Sequence, residues 1–228
     1  MSFDYTPKTI HDIVFADDDH KDLFMDIING HHPFPESGKN GILLYGINGT
    51  GKSALAKLLP DAIEAMRTGN DAAQRYESIQ PGNDGAKLMK SLQSTADCMP
   101  FGSSHWYFVL DEVDNLKGPS MASLKSLMNC PLTIFVMTTN HFSDIDAGVR
   151  DRCHCIPFNA APSVKWLPLA KRVLADEGIH TITDNALLPV IDGCNGSARN
   201  IVDAMHRVIR NAQKNAVASQ TAVPASAV

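Results

Sequence analysis

Three largely apolar runs of strand length mark the first two thirds of the chain: Ile42-Leu43-Leu44-Tyr45, Trp106-Tyr107-Phe108-Val109-Leu110 and Leu132-Thr133-Ile134-Phe135-Val136-Met137, the last with one hydroxyl at Thr133. Runs without polar alternation belong to strands buried on both faces. Two shorter runs, Tyr76 to Ile79 and Cys155 to Phe158, complete a set of about five. The segments between them have helical spacing. Asp17 to Gly30, Ala54 to Leu59, Ala86 to Ala96 (apolar at Leu88, Met89 and Leu92) and Ser120 to Asn129 each read as a helix. Thr9 to Val14 reads as extended, Pro81 to Gly85 as a turn and Asp144 to Val149 as a loop and turn. Pro60 is expected to end or kink the helix it interrupts. Strands alternating with helices predict an α/β fold, a parallel sheet of about five strands between two helical layers. From Pro162 onward the pattern is all helix: Ser163 to Glu177, Asp184 to Asp192, and a third helix opened by Gly196-Ser197 with Ile201, Val202, Met205, Val208 and Ile209 as its apolar stripe. The expected organisation is an α/β domain over residues 1–160, a small helical domain over 161–214, and a low-complexity tail over 215–228 that reads as disordered.

The first strand runs into Gly46-Ile47-Asn48-Gly49-Thr50-Gly51-Lys52-Ser53, and a helix follows. Strand, glycine-rich turn and helix are the context of a Walker A phosphate loop. Its backbone amides and the helix N-terminus cradle phosphate oxygens. Nucleotide contacts are therefore expected from Gly46, Asn48, Gly49, Thr50, Gly51, Lys52 and Ser53, with Lys52 reaching the β- and γ-phosphates and the Ser53 hydroxyl ligating Mg²⁺. The glycine spacing does not match a dinucleotide fingerprint, which argues against NAD or FAD. The second buried strand ends in Asp111-Glu112-Val113-Asp114, a Walker B pattern. Asp111 is expected to hold Mg²⁺ and Glu112 to orient the attacking water. The third strand ends in Thr138-Thr139-Asn140, which sets the Asn140 amide beside the same water or the γ-phosphate.

Composition narrows the field. The 228 residues are 44% hydrophobic with net charge −5, so a generally basic nucleic-acid coat is not expected, although a local patch is compatible. Five cysteines in no C-x-x-C pair indicate neither a disulfide framework nor a zinc ribbon, and a reducing, cytoplasmic setting is expected. The N-terminus has no signal-peptide pattern, and no apolar run approaches the roughly 20 residues that span a bilayer. His31-His32 reads as exposed loop. In Cys153-His154-Cys155 the two thiols share one strand face and His154 takes the other, which suits buried thiols better than a metal site.

Together these parts resemble an AAA+ ATPase. Within that group the chain looks like the clamp-loader branch, similar to replication factor C small subunits. Tyr5-Thr6-Pro7-Lys8-Thr9-Ile10-His11-Asp12-Ile13-Val14 resembles that branch's opening motif, Asp151-Arg152-Cys153 its Ser-Arg-Cys motif with Asp for Ser, Asp176-Glu177-Gly178-Ile179 a turn of its helical lid, and Gly196-Ser197-Ala198-Arg199 its sensor 2 motif. The resemblance covers about residues 5–212. It implies that Asn140 is sensor 1, that Arg199 is a sensor 2 touching the γ-phosphate from the lid, that Arg152 is an arginine finger acting on a neighbouring subunit, and that Ile13 and Val14 line the adenine pocket. Arg150 is the rival finger. The family's C-terminal collar has no counterpart after the lid, so a stripped-down relative is expected.

The resemblance implies ATP and Mg²⁺ as cofactors. It also implies a homo- or hetero-oligomer, ring or spiral, that hydrolyses ATP to remodel or load a partner on DNA. That partner would be DNA itself or a DNA-bound protein such as a sliding clamp, with no membrane involved. Lys117 and Lys125 are candidate phosphate contacts. Alternatives are an ATP-switched scaffold or recruiter with slow turnover, of the initiator or transposition-regulator type, and a protein-remodelling motor. The motor is disfavoured because Gln80 to Gly85 lacks an aromatic pore loop. A small-molecule kinase would need neither Arg152 nor Arg199.

Overall fold

Five strands form one parallel sheet: β1 (Gly41–Tyr45), β2 (Ala73–Ser78), β3 (Trp106–Asp111), β4 (Thr133–Thr139) and β5 (Cys153–Pro157), in the order β2-β3-β4-β1-β5. The computed structural model describes residues 4–82 and 85–221, with side chains to residue 214. Two compact units emerge: Pro7–Asn159, and a helical unit that joins residues 4–6 to the chain from Ala160 onward.

In the α/β unit, central β1, β3 and β4 are buried almost throughout, as their largely apolar runs demand. Edge strand β2 alternates half-buried and exposed. Helices α1 (Asp18–Ile28) and α2 (Lys52–Thr68) cover one face, which buries Ile42, Leu44, Tyr107, Val109, Ile134 and Val136. Helices α3 (Gly85–Ala96), α4 (Pro119–Leu127) and α5 (Ala147–Asp151) accompany the other, which buries Leu43, Phe108, Leu110, Phe135 and Met137. All strands run the same way, so one sheet edge gathers Tyr45, Ser78, Asp111 and Thr139, and the opposite edge gathers Gly41, Ala73, Trp106, Thr133 and Cys153.

Several local expectations are corrected. Thr9–Val14 is extended only in part: Thr9 and Ile13 are extended, but Ile10–Asp12 forms a 3-10 turn, in which the Asp12 carboxylate accepts from the Thr9 amide and hydroxyl and the Lys8 amide. Pro60 does not stop α2, which continues to Thr68. An interior proline costs about 3 kcal/mol, but burying each of Leu55, Leu59 and Ile63 returns roughly 1.5–3 kcal/mol. Part of the expected loop at 144–149 is the start of α5, capped by Asp146 accepting from the Gly148 amide. β2 starts at Ala73, three residues before the expected strand. The turn expected at 81–85 includes residues 83 and 84, which lie outside the described residues.

The helical unit comprises α6 (Ser163–Ala175), α7 (Asp184–Asp192) and α8 (Ala198–Thr221). Its buried positions include Trp166, Val173, Leu187, Ile191, Ile201 and Met205. Ser197 Oγ accepts from the Asn200 amide and caps α8. α8 runs to Thr221, within the tail expected from residue 215; residues 222–228 lie outside the described residues.

Candidate nucleotide site

The turn from β1 into α2 depends on glycines at two points. Gly46 has φ 143° and packs so close to β5 that a Cβ there would lie 2.6 Å from the Phe158 carbonyl oxygen. Gly51, just before α2, has φ 106°, which an L side chain rarely adopts. Between them Ile47 and Asn48 are exposed, while Thr50 is buried and its hydroxyl donates to the Ile47 carbonyl at 3.1 Å. Lys52 Nζ donates to the carbonyls of Gly46 (2.9 Å) and Ile47 (2.6 Å). Burial pulls the Lys52 ammonium below its ordinary pKa, an effect partly offset by Asp111, Asp114 and Glu112.

Asp111 shares its sheet face with Tyr107 and Val109, the side covered by α2, because alternate strand residues face the same way. This brings its carboxylate to the start of α2, where Ser53 Oγ donates to Oδ1 at 2.8 Å. Thr138 Oγ1 also donates to Oδ1, and it accepts from the Glu112 amide at 3.1 Å. Tyr76 Oη donates to Oδ2 at 3.0 Å. Burial, then Asp111, pushes the Tyr76 hydroxyl up to about 12.

Glu112 sits in the left-handed region at φ 58°, a strained conformation for a side chain this size. It turns the chain from β3 into the short 3-10 turn Val113–Asn115. Asn115 Nδ2 donates to the Ile79 carbonyl at 2.7 Å and lies 3.4 Å from Glu112 Oε2. Asp114 is buried and accepts from Thr139 Oγ1 at 2.8 Å. Asn140 follows β4 directly, half-buried at the same sheet edge.

The other expected residues lie elsewhere. Ile13 is buried in the core cluster on the α2 side and Val14 is half-buried. A cavity of about 370 Å³ nearby is lined by Ile10, Met25, Ile28, Leu58 and Ala62 among others, not by Ile13 or Val14. Arg199 is exposed in the first turn of α8, in the helical unit. Arg152 caps α5 just before β5, at the sheet edge opposite the phosphate loop; its guanidinium donates to Asn129 Oδ1 (3.1 Å) and to the Gly148 carbonyl (2.8 Å). Arg150 lies over the ring of Phe142, which stacks on Tyr45 at 4.2 Å. Lys117 and Lys125 are paired with Asp144 and Asp146. Cys153 is buried, its thiol pushed up by desolvation, and His154 faces the other way, against His32 and Phe34. No cluster of three metal-ligating side chains occurs among the described residues.

Sequence reading missed Tyr76, Thr138 and Asn115. For Thr138 there was a signal: a hydroxyl ending an otherwise apolar strand, beside the expected Walker B strand.

A family model described as the ATPase family associated with various cellular activities (AAA) matches residues 42–158, just over half of the chain. The chain belongs to the AAA ATPase family. This AAA ATPase is 24% identical over 186 residues to the DNA polymerase III subunit gamma/tau of Mycoplasma pneumoniae. That match covers 74% of this chain and 27% of the relative, so the chain spans about a quarter of that protein's length. Solved structures of Thermotoga maritima RuvB share the fold. One, described as a Holliday junction branch migration motor, has a TM-score of 0.66 at 18% identity. A single-residue variant has a TM-score of 0.69 at 16% identity. Each superposition covers 90% of this chain and 65% of the RuvB chain. The activity of the AAA family is ATP hydrolysis, and the five-stranded parallel sheet is its P-loop fold. No described helix is long and apolar enough to cross a membrane.

Proposed function

We propose that this AAA ATPase works as an oligomer, ring or spiral, that spends ATP hydrolysis on remodelling or loading a partner on DNA, in the manner of a clamp loader. The observation that carries the reading is the position of Arg152. The Gly41 amide donates to the Arg152 carbonyl at one end of β1, whereas the phosphate loop leaves the other end. The five residues of β1 separate the two edges, about 16 Å at 3.3 Å per residue, farther than an arginine side chain reaches. That separation supports a role for Arg152 at a neighbour's nucleotide rather than at its own. Arg150, turned toward Tyr45 beside its own loop, is the poorer candidate.

Within one subunit, Lys52 and the loop amides bind the phosphates, Glu112 orients the attacking water, and Asn140 hydrogen-bonds that water or the γ-phosphate. Arg199 senses the nucleotide from the helical unit, and Ile13 and Val14 border the base. Ser53 and Asp111 converge as two hard oxygen donors 2.8 Å apart, a set that suits Mg²⁺. When bound, Mg²⁺ neutralises charge on the phosphates.

The DNA polymerase III and RuvB names support a DNA setting. Lys117 and Lys125, each already paired with a carboxylate, supply little free positive charge for DNA, which favours a DNA-bound protein as the direct partner. A protein partner is also supported by the loop between α3 and β3. There Met99 is 79% and Phe101 98% exposed, although Trp106 Nε1 ties the loop base to the Cys98 carbonyl. The contact between Asn115 and the Glu112 carboxylate favours a second reading, an ATP-switched scaffold with slow turnover.

The deciding experiment measures ATPase rate per subunit against protein concentration, with and without primed DNA, alongside particle mass with a non-hydrolysable ATP analogue. A rate rising steeply with concentration, together with nucleotide-dependent assembly, is expected. A flat rate sinks the trans role of Arg152, and assembly with negligible turnover selects the scaffold.

A further inference from the structure

Asp111 has a partner that the phosphate-loop motifs do not include. Tyr76 lies on edge strand β2, level with Val109 of β3 and two residues before Ser78, which pairs with Asp111 itself. Gln74 and Tyr76 both face α2, where Gln74 meets Asp61 and the Tyr76 ring meets Lys57. The phenol therefore lies along the face that carries Asp111, and its hydroxyl donates to Oδ2 at 3.0 Å. Ser53 and Thr138 donate to the other oxygen, Oδ1.

Hydrogen bonds on Oδ1 alone still leave the carboxylate room to rock about its Cβ–Cγ bond. Donors on both oxygens, arriving from β2 on one side and from α2 and β4 on the other, fix the carboxylate plane. The ring is itself held: Lys57 Nζ sits 4.1 Å from its centroid, one helical turn past Ser53 on α2.

We infer that Tyr76 is a positioning residue for the divalent cation, occupying Asp111 Oδ2 so that Oδ1 stays turned to Ser53. The inference rests on the reading of Ser53 and Asp111 as the pair that holds Mg²⁺. Partners that orient a ligating carboxylate typically contribute about 10–100-fold to metal affinity.

The test is the magnesium dependence of nucleotide binding. The dissociation constant of a fluorescent ATP analogue is measured on the full chain in EDTA and across a MgCl2 titration, for wild type, Tyr76→Phe and Asp111→Asn. Phenylalanine keeps the ring, and the site is 39% exposed, so the fold is retained; a thermal melt checks this. Tyr76→Phe is expected to bind the analogue as wild type does in EDTA, while the tightening caused by magnesium shrinks about tenfold and half-saturation moves to higher magnesium. A purely structural tyrosine would shift the melt or the EDTA value and leave that tightening intact. Unchanged tightening in Tyr76→Phe, with loss in Asp111→Asn, overturns the role of Tyr76 alone. Unchanged tightening in both overturns the metal reading and the inference with it.

Discussion

Lys52 Nζ lies 2.6 Å from the carbonyl oxygen of Ile47, inside the loop whose C-terminal end it marks. With Gly46 as second acceptor, the ammonium is bonded to its own backbone and pulled below its ordinary pKa by burial. On the proposed role of the loop, phosphate oxygens would take the place of those carbonyls. Lys52→Ala removes the only side-chain cation of the loop and is expected to weaken ATP binding by a factor of ten or more, about 1.4 kcal/mol at least, with little change in the melt. Titration with a fluorescent analogue reads this directly.

Glu112→Gln keeps the shape of the side chain and removes its basicity. The variant is expected to bind ATP as wild type does and to lose about 10²-fold or more in turnover. Normal hydrolysis by Glu112→Gln would remove that residue from the reaction.

Arg152→Ala is expected to keep nucleotide binding and to lose hydrolysis by about 10³-fold, whereas Arg150→Ala retains most of it. A mixture of Lys52→Ala and Arg152→Ala subunits should regain activity that neither has alone, because one supplies the arginine and the other the loop. An inert mixture, or a larger loss from Arg150→Ala, reverses the assignment.

Glu64 is a buried carboxylate of α2, with no exposed surface. Its carboxylate accepts from the Ser104 amide and hydroxyl (both 2.6 Å), Tyr107 Oη (2.8 Å) and Thr68 Oγ1 (2.9 Å). Burial alone would raise its pKa; the Ser104, Tyr107 and Thr68 bonds outweigh that and hold it below the ordinary 4.5. A depressed folded pKa adds stability that is fully present above about pH 4.5 and is lost as pH falls through the folded value. Glu64→Ala strands those donors and is expected to cost about 3 kcal/mol or more in chemical denaturation. Glu64→Gln is expected to lose Glu64's share of the acid-dependent component of the wild-type stability curve.

The strands and the phosphate loop were legible because their signals are local: largely apolar runs, and glycines at fixed spacing before Lys52-Ser53. Tyr76, Thr138 and Asn115 were not, because each acts on a residue of another segment. Nothing around Tyr76 reports that β2 will lie beside β3 in a register that puts Ser78 opposite Asp111. Pro60 misled for a related reason, since its local penalty is countered by burial that exists only once the sheet is formed. Glu64 reads as an ordinary polar helix position until Ser104 and Tyr107, about 40 residues on, close over it.

On the proposed role of Arg152, its place at the sheet edge opposite the phosphate loop makes the subunit directional. Copies that complete each other's sites must join through two different faces, head to tail. An open row of n such copies then holds n − 1 finished sites, with a bare loop at one end and an idle arginine at the other. Only closing the row would make sites and subunits equal in number, so on that reading the gap in an open assembly is where nucleotide would bind without being consumed.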